Sequence, residues 1–395
     1  MKNRYTTILT TFLFICIWFN TLIASVTLPV IPEMNEGGGQ RTKSFTVNKG
    51  GMLDVSVGGG VIRITPWDKQ EVYIKVTGIE EEDLDDLKMK QSGNTIYIEF
   101  KPSWGSGWSD VTFDVNVPAQ FNADMRTAGG NIEIHGAMNG EINGSTAGGD
   151  IRLSDIVGQV DMSTSGGDIR TENIQGDTRL KTSGGDIQLG TVNGEADVKT
   201  SGGDIRIKSV GKSLKAKTSG GEIIIGDVGG EANVSTAGGD ISVGKVSGSA
   251  SLSTAGGDIE LRSASGTVSA KTAGGNLRLE NVTGSVEGKT AGGDIRAELY
   301  PGGKGNSRLI NSGGDIKLYI AEGAKATIDA RLRVQGWLWI AGQKKEYDIR
   351  SDFKPSSFDD DDEDEIRAKY VLNGGGENIT LETTNGNIDI RRLRK

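Results

Sequence analysis

The stretch Thr182-Ser-Gly-Gly-Asp-Ile-Gln-Leu-Gly-Thr-Val-Asn-Gly-Glu-Ala-Asp-Val-Lys199 decides the fold. Ile187 and Leu189 alternate with polar residues, Val192 stands alone, and Ala196 and Val198 alternate again. Two runs of period two, separated by Gly-rich segments, read as two short strands with a turn at each end. Working outward, the opening phrase Thr-(Ala/Ser)-Gly-Gly returns at Thr127, Thr146, Thr164, Thr182, Thr200, Thr218, Thr236, Thr254, Thr272 and Thr290, and from Thr146 onward the interval is always 18 residues. The apolar slots return with it, as Ile205, Ile207, Val210, Leu214 and Ala216, and as Ile241, Val243, Val246, Ala250 and Leu252. A period that does not drift means that each unit stacks on the next, because unstacked loops tolerate length changes.

Stacking is also required energetically. One unit has no second layer, and burying its few apolar side chains falls short of the entropy of ordering the segment. The units must therefore coil, each strand pairing in parallel with its copy in the next repeat. The predicted fold class is all-β: a parallel β-solenoid with about 18 residues and two short strands per coil, capped at both ends. At the usual strand spacing, ten coils form a rod of roughly 48 Å.

Composition agrees. The chain has 395 residues with 60 Gly, 7 Pro and 6% aromatic residues, a profile of tight turns between short strands rather than of a linker or a collagen-like rod. A net charge of −9 argues against nucleic acid as a partner, since phosphate binding needs clustered Lys and Arg. The basic tail Arg391, Arg392, Arg394 and Lys395 reads as a solvated end.

The expected organisation is as follows. Residues 1–25 read as a signal peptide, with Lys2 and Arg4 ahead of the apolar Ile8 to Phe19, so the mature chain is expected to be exported and to lack a membrane span; a retained anchor is the rival reading. The only cysteine, Cys16, lies in that segment and leaves the mature chain without disulfide or thiol chemistry. Residues 26–40 read as a flexible leader, 41–118 as an N-terminal cap with a first coil, 119–320 as the regular solenoid, and 321–395 as a C-terminal cap. Within the caps, Glu80 to Lys90 reads as a helical turn or two, and 354–367, with its acidic run Asp359 to Glu365, as an exposed loop.

These features together resemble the bacterial putative-adhesin family, a domain of unknown function with Gly-Gly-Asp-Ile solenoid repeats. The residues that carry the resemblance are Gly59-Gly60-Val61-Ile62-Arg63-Ile64 with Trp67, the serial repeat units, and Thr383-Thr384-Asn385-Gly386-Asn387-Ile388-Asp389-Ile390. The resemblance implies an exported or membrane-linked protein and supplies no catalytic residue.

Candidate chemistry is sparse. His135 is the single histidine and reads as an exposed turn residue, and there is no nucleophile elbow or phosphate loop. The strongest candidate is the acidic column Asp150, Asp168, Asp186, Asp204, Glu222, Asp240, Asp258, Asp294 and Asp315, which stacking would set about 4.8 Å apart. Like charges at that spacing repel and need relief. Calcium is one source of relief. The preferred reading has each carboxylate cap the backbone N–H groups of its own Gly-Gly turn and pair with the cation two residues on, namely Arg152, Arg170, Arg206, Arg296 or Lys317. Counting in twos from Val198 turns the Thr column inward as a hydroxyl ladder. Trp104, Trp108, Trp337 and Trp339 are candidate glycan contacts, with closure of the core ends as the plainer role. The expectation is a non-enzymatic, adhesin-like or structural scaffold without a cofactor, offering a regular polar surface to a glycan, envelope or matrix polymer. The alternative is a polysaccharide-binding or polysaccharide-degrading β-helix protein, whose enzymatic form needs irregular loops forming a cleft.

Overall fold

A computed structural model describes residues 39–101, 111–335, 347–362 and 364–393. Cys16, Trp104, Trp108, Trp337, Trp339, the segment 1–25 and nearly all of the 26–40 leader lie outside the described residues.

The specimen repeat folds as its pattern requires. Ile187–Val192 lies in one long sheet and Ala196–Lys199 in a second. Each strand pairs in parallel with its copy one coil on, Ile187 with Ile205 and Val192 with Val210, then Ala196 with Leu214 and Lys199 with Lys217. The apolar slots Ile187, Leu189, Val192, Ala196 and Val198 are buried, and so are their equivalents in the neighbouring coils. The protein is thus a parallel β-solenoid. In its early coils the isolated apolar slot forms a short third ladder, Met138–Asn139 on Ile156–Val157, continued by single bridges from Ile156 to Ile174 and from Ile174 to Val192. From Ile187 onward the first-sheet strand absorbs that slot.

The Thr-x-Gly-Gly corner locks one coil to the next. Thr182 Oγ1 donates to the carbonyl of Gly167 at 2.9 Å and accepts the N–H of Gly185 at 3.3 Å. The same pair of bonds recurs at Thr164, Thr200, Thr218, Thr236, Thr254, Thr272 and Thr290. These hydroxyls are buried, as the inward count requires. The second Gly of each pair is there for closeness rather than for unusual dihedrals. A Cβ on Gly185 would stand closer than 3.0 Å to the carbonyl oxygen of Gly167, whereas one on Gly184 would lie 3.4 Å from that of Gly166.

At the ends the order of coils departs from the order of the chain. Gly51–Val57 is inserted between Thr95–Phe100 and Phe121–Thr127, and Val61–Trp67 lies between Thr112–Pro118 and Ile132–Ile134. The chain therefore lays down one coil, turns outward to build the cap, and steps back over that coil to begin the repeats. The far end mirrors this. Glu377–Thr384 wedges between Ser307–Asn311 and Ala326–Arg333, and Ile388–Arg392 between Ile316–Ile320 and Ile349–Ser351. Antiparallel strands finish the N-terminal ends of both sheets and the C-terminal end of the second: Gln40–Thr46 on Glu71–Thr77, Leu87–Ser92 on Thr95–Phe100, and Glu365–Leu372 on Ala326–Arg333.

The segment Glu80 to Lys90, expected to be helical, is so only over the 3-10 helix Glu81–Asp86; from Leu87 it is extended, in the strand Leu87–Ser92. The 354–367 segment corrects the sequence reading: it holds a strand, Ser357–Asp362, exposed along its whole length and paired antiparallel to Glu365–Leu372. Arg367 stands opposite Asp359 and offsets part of the acidic charge that made the run look like a loop, while Asp362 faces Glu365 at the hairpin end. An acidic outer strand is also a poor template for pairing with another chain.

Gly185→Ala is expected to cost about 1–3 kcal/mol through the clash with the coil below, and Gly184→Ala distinctly less. Urea unfolding of the two variants checks this; equal losses would contradict the close-approach explanation.

Candidate functional site

The acidic column forms, but its bonds run between coils. Asp168 Oδ1 accepts the N–H of Asp186 at 2.9 Å, and Asp186 Oδ1 accepts the N–H of Asp204 at 2.8 Å. The pattern also joins Asp150 to Asp168, Asp204 to Glu222, Asp240 to Asp258, Asp258 to Asn276, and Asp294 to Asp315. The expectation that each Asp caps its own turn is therefore corrected: Thr takes the local Gly N–H, and Asp takes the next coil's. Each N–H donor sets a partial positive charge against the carboxylate oxygen that receives it, which offsets part of the repulsion along the column.

Amides fill the same slot. Asn131 Oδ1 accepts the N–H of Asp150, Asn276 that of Asp294 and Asn387 that of Asp348, at 2.8, 2.8 and 3.0 Å. An acceptor oxygen, rather than a charge, is what these corners require. Only part of the predicted ion pairing is present. Arg152 meets Asp150 at 2.7 Å, Arg206 meets Asp204 at 3.0 Å, and Arg170 reaches Asp168 at 4.0 Å. Arg296 turns instead to Glu298 and to the Tyr319 ring, and Lys317 makes no ion pair among the described residues.

His135 is exposed at the wall, with Nε2 3.0 Å from Glu133 Oε2. Burial works against the Glu133 carboxylate, yet hydrogen bonds from His135 and Arg63 hold its pKa below the ordinary value. Among the described residues, no group of three or more His, Cys, Asp or Glu side chains is placed to hold a metal ion, and no helix is long and apolar enough to cross a membrane.

Two shallow grooves run along the walls. One, on the outer face of the first sheet, has a volume of about 650 Å³, and its charged lining is Arg152, Arg170, Arg206, Lys208 and Glu172, with His135 at one end. The other, on the second sheet, has about 760 Å³ and includes Asp177, Glu195, Asp197 and Glu231 against Arg179 and Lys215. The charged linings of the two grooves thus differ in sign. Sequence reasoning treated the Arg column only as counter-ions to Asp and passed over Lys208, two residues beyond Arg206. That spacing on one strand was the available signal, since residues two apart share a face.

Residues 51–228 match the protein family described as Toastrack DUF4097, a span that includes the inserted first coil and the repeats up to Val228. The likeness to a putative-adhesin domain family of repeat architecture, seen first in the residues, is borne out. Similar solved structures include a putative adhesin from Bacteroides fragilis NCTC 9343, 13% identical over 90% of this chain and 97% of that one, with a TM-score of 0.29. A putative lipid binding protein from Parabacteroides distasonis ATCC 8503 is 18% identical over 66% of this chain and 97% of its own, with a TM-score of 0.28. A putative cell adhesion protein from Clostridium sporogenes ATCC 15579 is 12% identical over 90% and 100%, with a TM-score of 0.18. No curated protein matches the chain.

Asp186→Ala removes the acceptor for the Asp204 N–H and is expected to lower stability by about 0.5–1.5 kcal/mol, whereas Asp186→Asn is expected to be close to neutral. Thermal melts of both variants check the role, with a calcium chelator added in parallel and no shift of the midpoint expected. A chelator-induced drop would restore the calcium ladder.

Proposed function

We propose that this protein is a non-enzymatic, exported, adhesin-like scaffold whose walls offer a regular polar surface to a polymer outside the cytoplasm. The observation that carries this reading is the uninterrupted wall. From Thr146 to Thr290 the coils keep one length, and equivalent first-sheet strands keep one register as far as Leu277–Val282, so side chains of like position form straight columns along the axis. A ligand that repeats along its own length can meet such columns at many points, and weak contacts then add through multivalency.

Enzymatic attack on a polysaccharide needs carboxylates gathered in a cleft and tuned for proton transfer. Here the corner carboxylates are tied to backbone N–H groups of the neighbouring coil, which supports a structural role for them. The family resemblance points the same way and brings no catalytic residue. Export rests on the composition of residues 1–25 and is part of the proposal.

A polysaccharide-binding screen of the purified mature chain, with reducing ends measured in parallel, tests the reading. Retention on at least one polymer without release of reducing ends is expected. Release of reducing ends, or failure to bind any polymer, would overturn it.

A further inference from the structure

We propose that the groove on the outer face of the first sheet is a docking site for an acidic polysaccharide lying along the solenoid axis. This rests on the reading of the protein as a polymer-binding scaffold and names the class of polymer. The chain as a whole carries −9, yet this groove has Arg152, Arg170, Arg206 and Lys208 against the single acid Glu172. A cationic strip on an anionic protein concentrates anion binding there.

Pairing between coils sets the strip's geometry. Arg152 stands opposite Arg170, Arg170 opposite Gln188 and Gln188 opposite Arg206, so successive side chains recur about every 4.8 Å along the axis. Two of the guanidinium groups are held from behind. Asp150 and Asp204 each direct Oδ1 to the next coil's backbone and Oδ2 to Arg152 or Arg206. These corner carboxylates do not line the groove. Arg170 is only loosely paired, and Lys208 makes no ion pair among the described residues, so both have donors for a ligand.

The groove's shape also suits a sugar chain. Gly190 leaves a recess between Glu172 and Lys208, and it has to be glycine, since a Cβ there would stand closer than 3.0 Å to the Glu172 carbonyl. Gln188 and Ser154 offer partners for hydroxyl groups, and Ile224, 37% exposed, gives a ring face an apolar contact at one end. A planar guanidinium matches a carboxylate or sulfate ester in two-point fashion. The groove has no Phe, Tyr or Trp in its lining, and its one imidazole, His135, sits at one end beside Glu133, so it lacks the row of stacking platforms with which proteins bind single-stranded nucleic acid.

The test uses the full mature chain and measures binding to polygalacturonate, dextran and single-stranded DNA by calorimetry. Two variants are compared: Arg170→Gln with Arg206→Gln and Lys208→Gln in the groove, and Lys215→Gln with Lys217→Gln on the opposite sheet. Polygalacturonate is expected to bind the parent chain, to weaken about tenfold or more in the groove variant, and to be unaffected by the opposite-sheet variant. Circular dichroism melts confirm that both variants are folded, and Arg170→Gln alone, at a half-exposed side chain, serves if the triple variant is not. Undiminished binding in the groove variant, equal loss in the control, or DNA binding as tight as uronate would overturn the proposal. Binding of dextran but not of polygalacturonate would sink this inference and leave the scaffold reading standing; no binding to any polymer would sink both.

Discussion

Everything in this molecule depends on the close approach of one coil to the next at the Gly-Gly corner. The second Gly lies so near the carbonyl below it that no side chain fits. That closeness lets a Thr hydroxyl bridge the coils on the inner side and an Asp or Asn oxygen bridge them on the outer side. The two bridges flank the turn and hold each corner over the one below it, in the 18-residue coils and equally in longer ones such as those that join Asn131 to Asp150 and Asp294 to Asp315. Constant coil length then turns every outward slot into a column, and the columns make the walls.

The same closeness creates a problem at the ends, where the last coil has unpaired backbone groups. Both ends solve it by inserting a coil out of chain order. The segments 51–67 and 377–392 each lie one layer in from the caps, gripped on both sides by parallel strands. Both segments are thereby built into the stack. Beyond them come antiparallel strands, and the acidic Ser357–Asp362 forms the outer edge of the second sheet. Charge along an edge discourages another chain from extending the sheet.

Much of this was legible in the residues. Period two within the strands and the repeat spacing gave the solenoid, the buried slots and the inward Thr column, because local pattern and tertiary burial agree there. The direction of the Asp bonds was not legible, since a carboxylate beside a Gly-Gly turn can accept from its own turn or from the next coil, and the choice depends on how tightly coils stack. Asn131 and Asn276 in the same slot were the hint that an acceptor, not a charge, was needed. The insertion of coil 51–67 was hidden because its pattern matches any coil equally well. The acidic strand read as a loop because its partner, Glu365–Leu372, supplies from across the hairpin what its own sequence lacks. The basic groove was half seen, its Arg column noted as counter-ions and its curvature beyond the reach of pattern reading.

The stacking itself is open to a direct distance measurement. With Cys16 absent from or replaced in the chain, spin labels can be placed at Lys181 and Lys271, exposed sites in the same wall column five coils apart. Pulsed dipolar spectroscopy should give one narrow distribution centred at about 24 Å, the span of five strand spacings. A broad distribution, or a centre far from that value, would mean that the coils are not piled in register and would contradict the account.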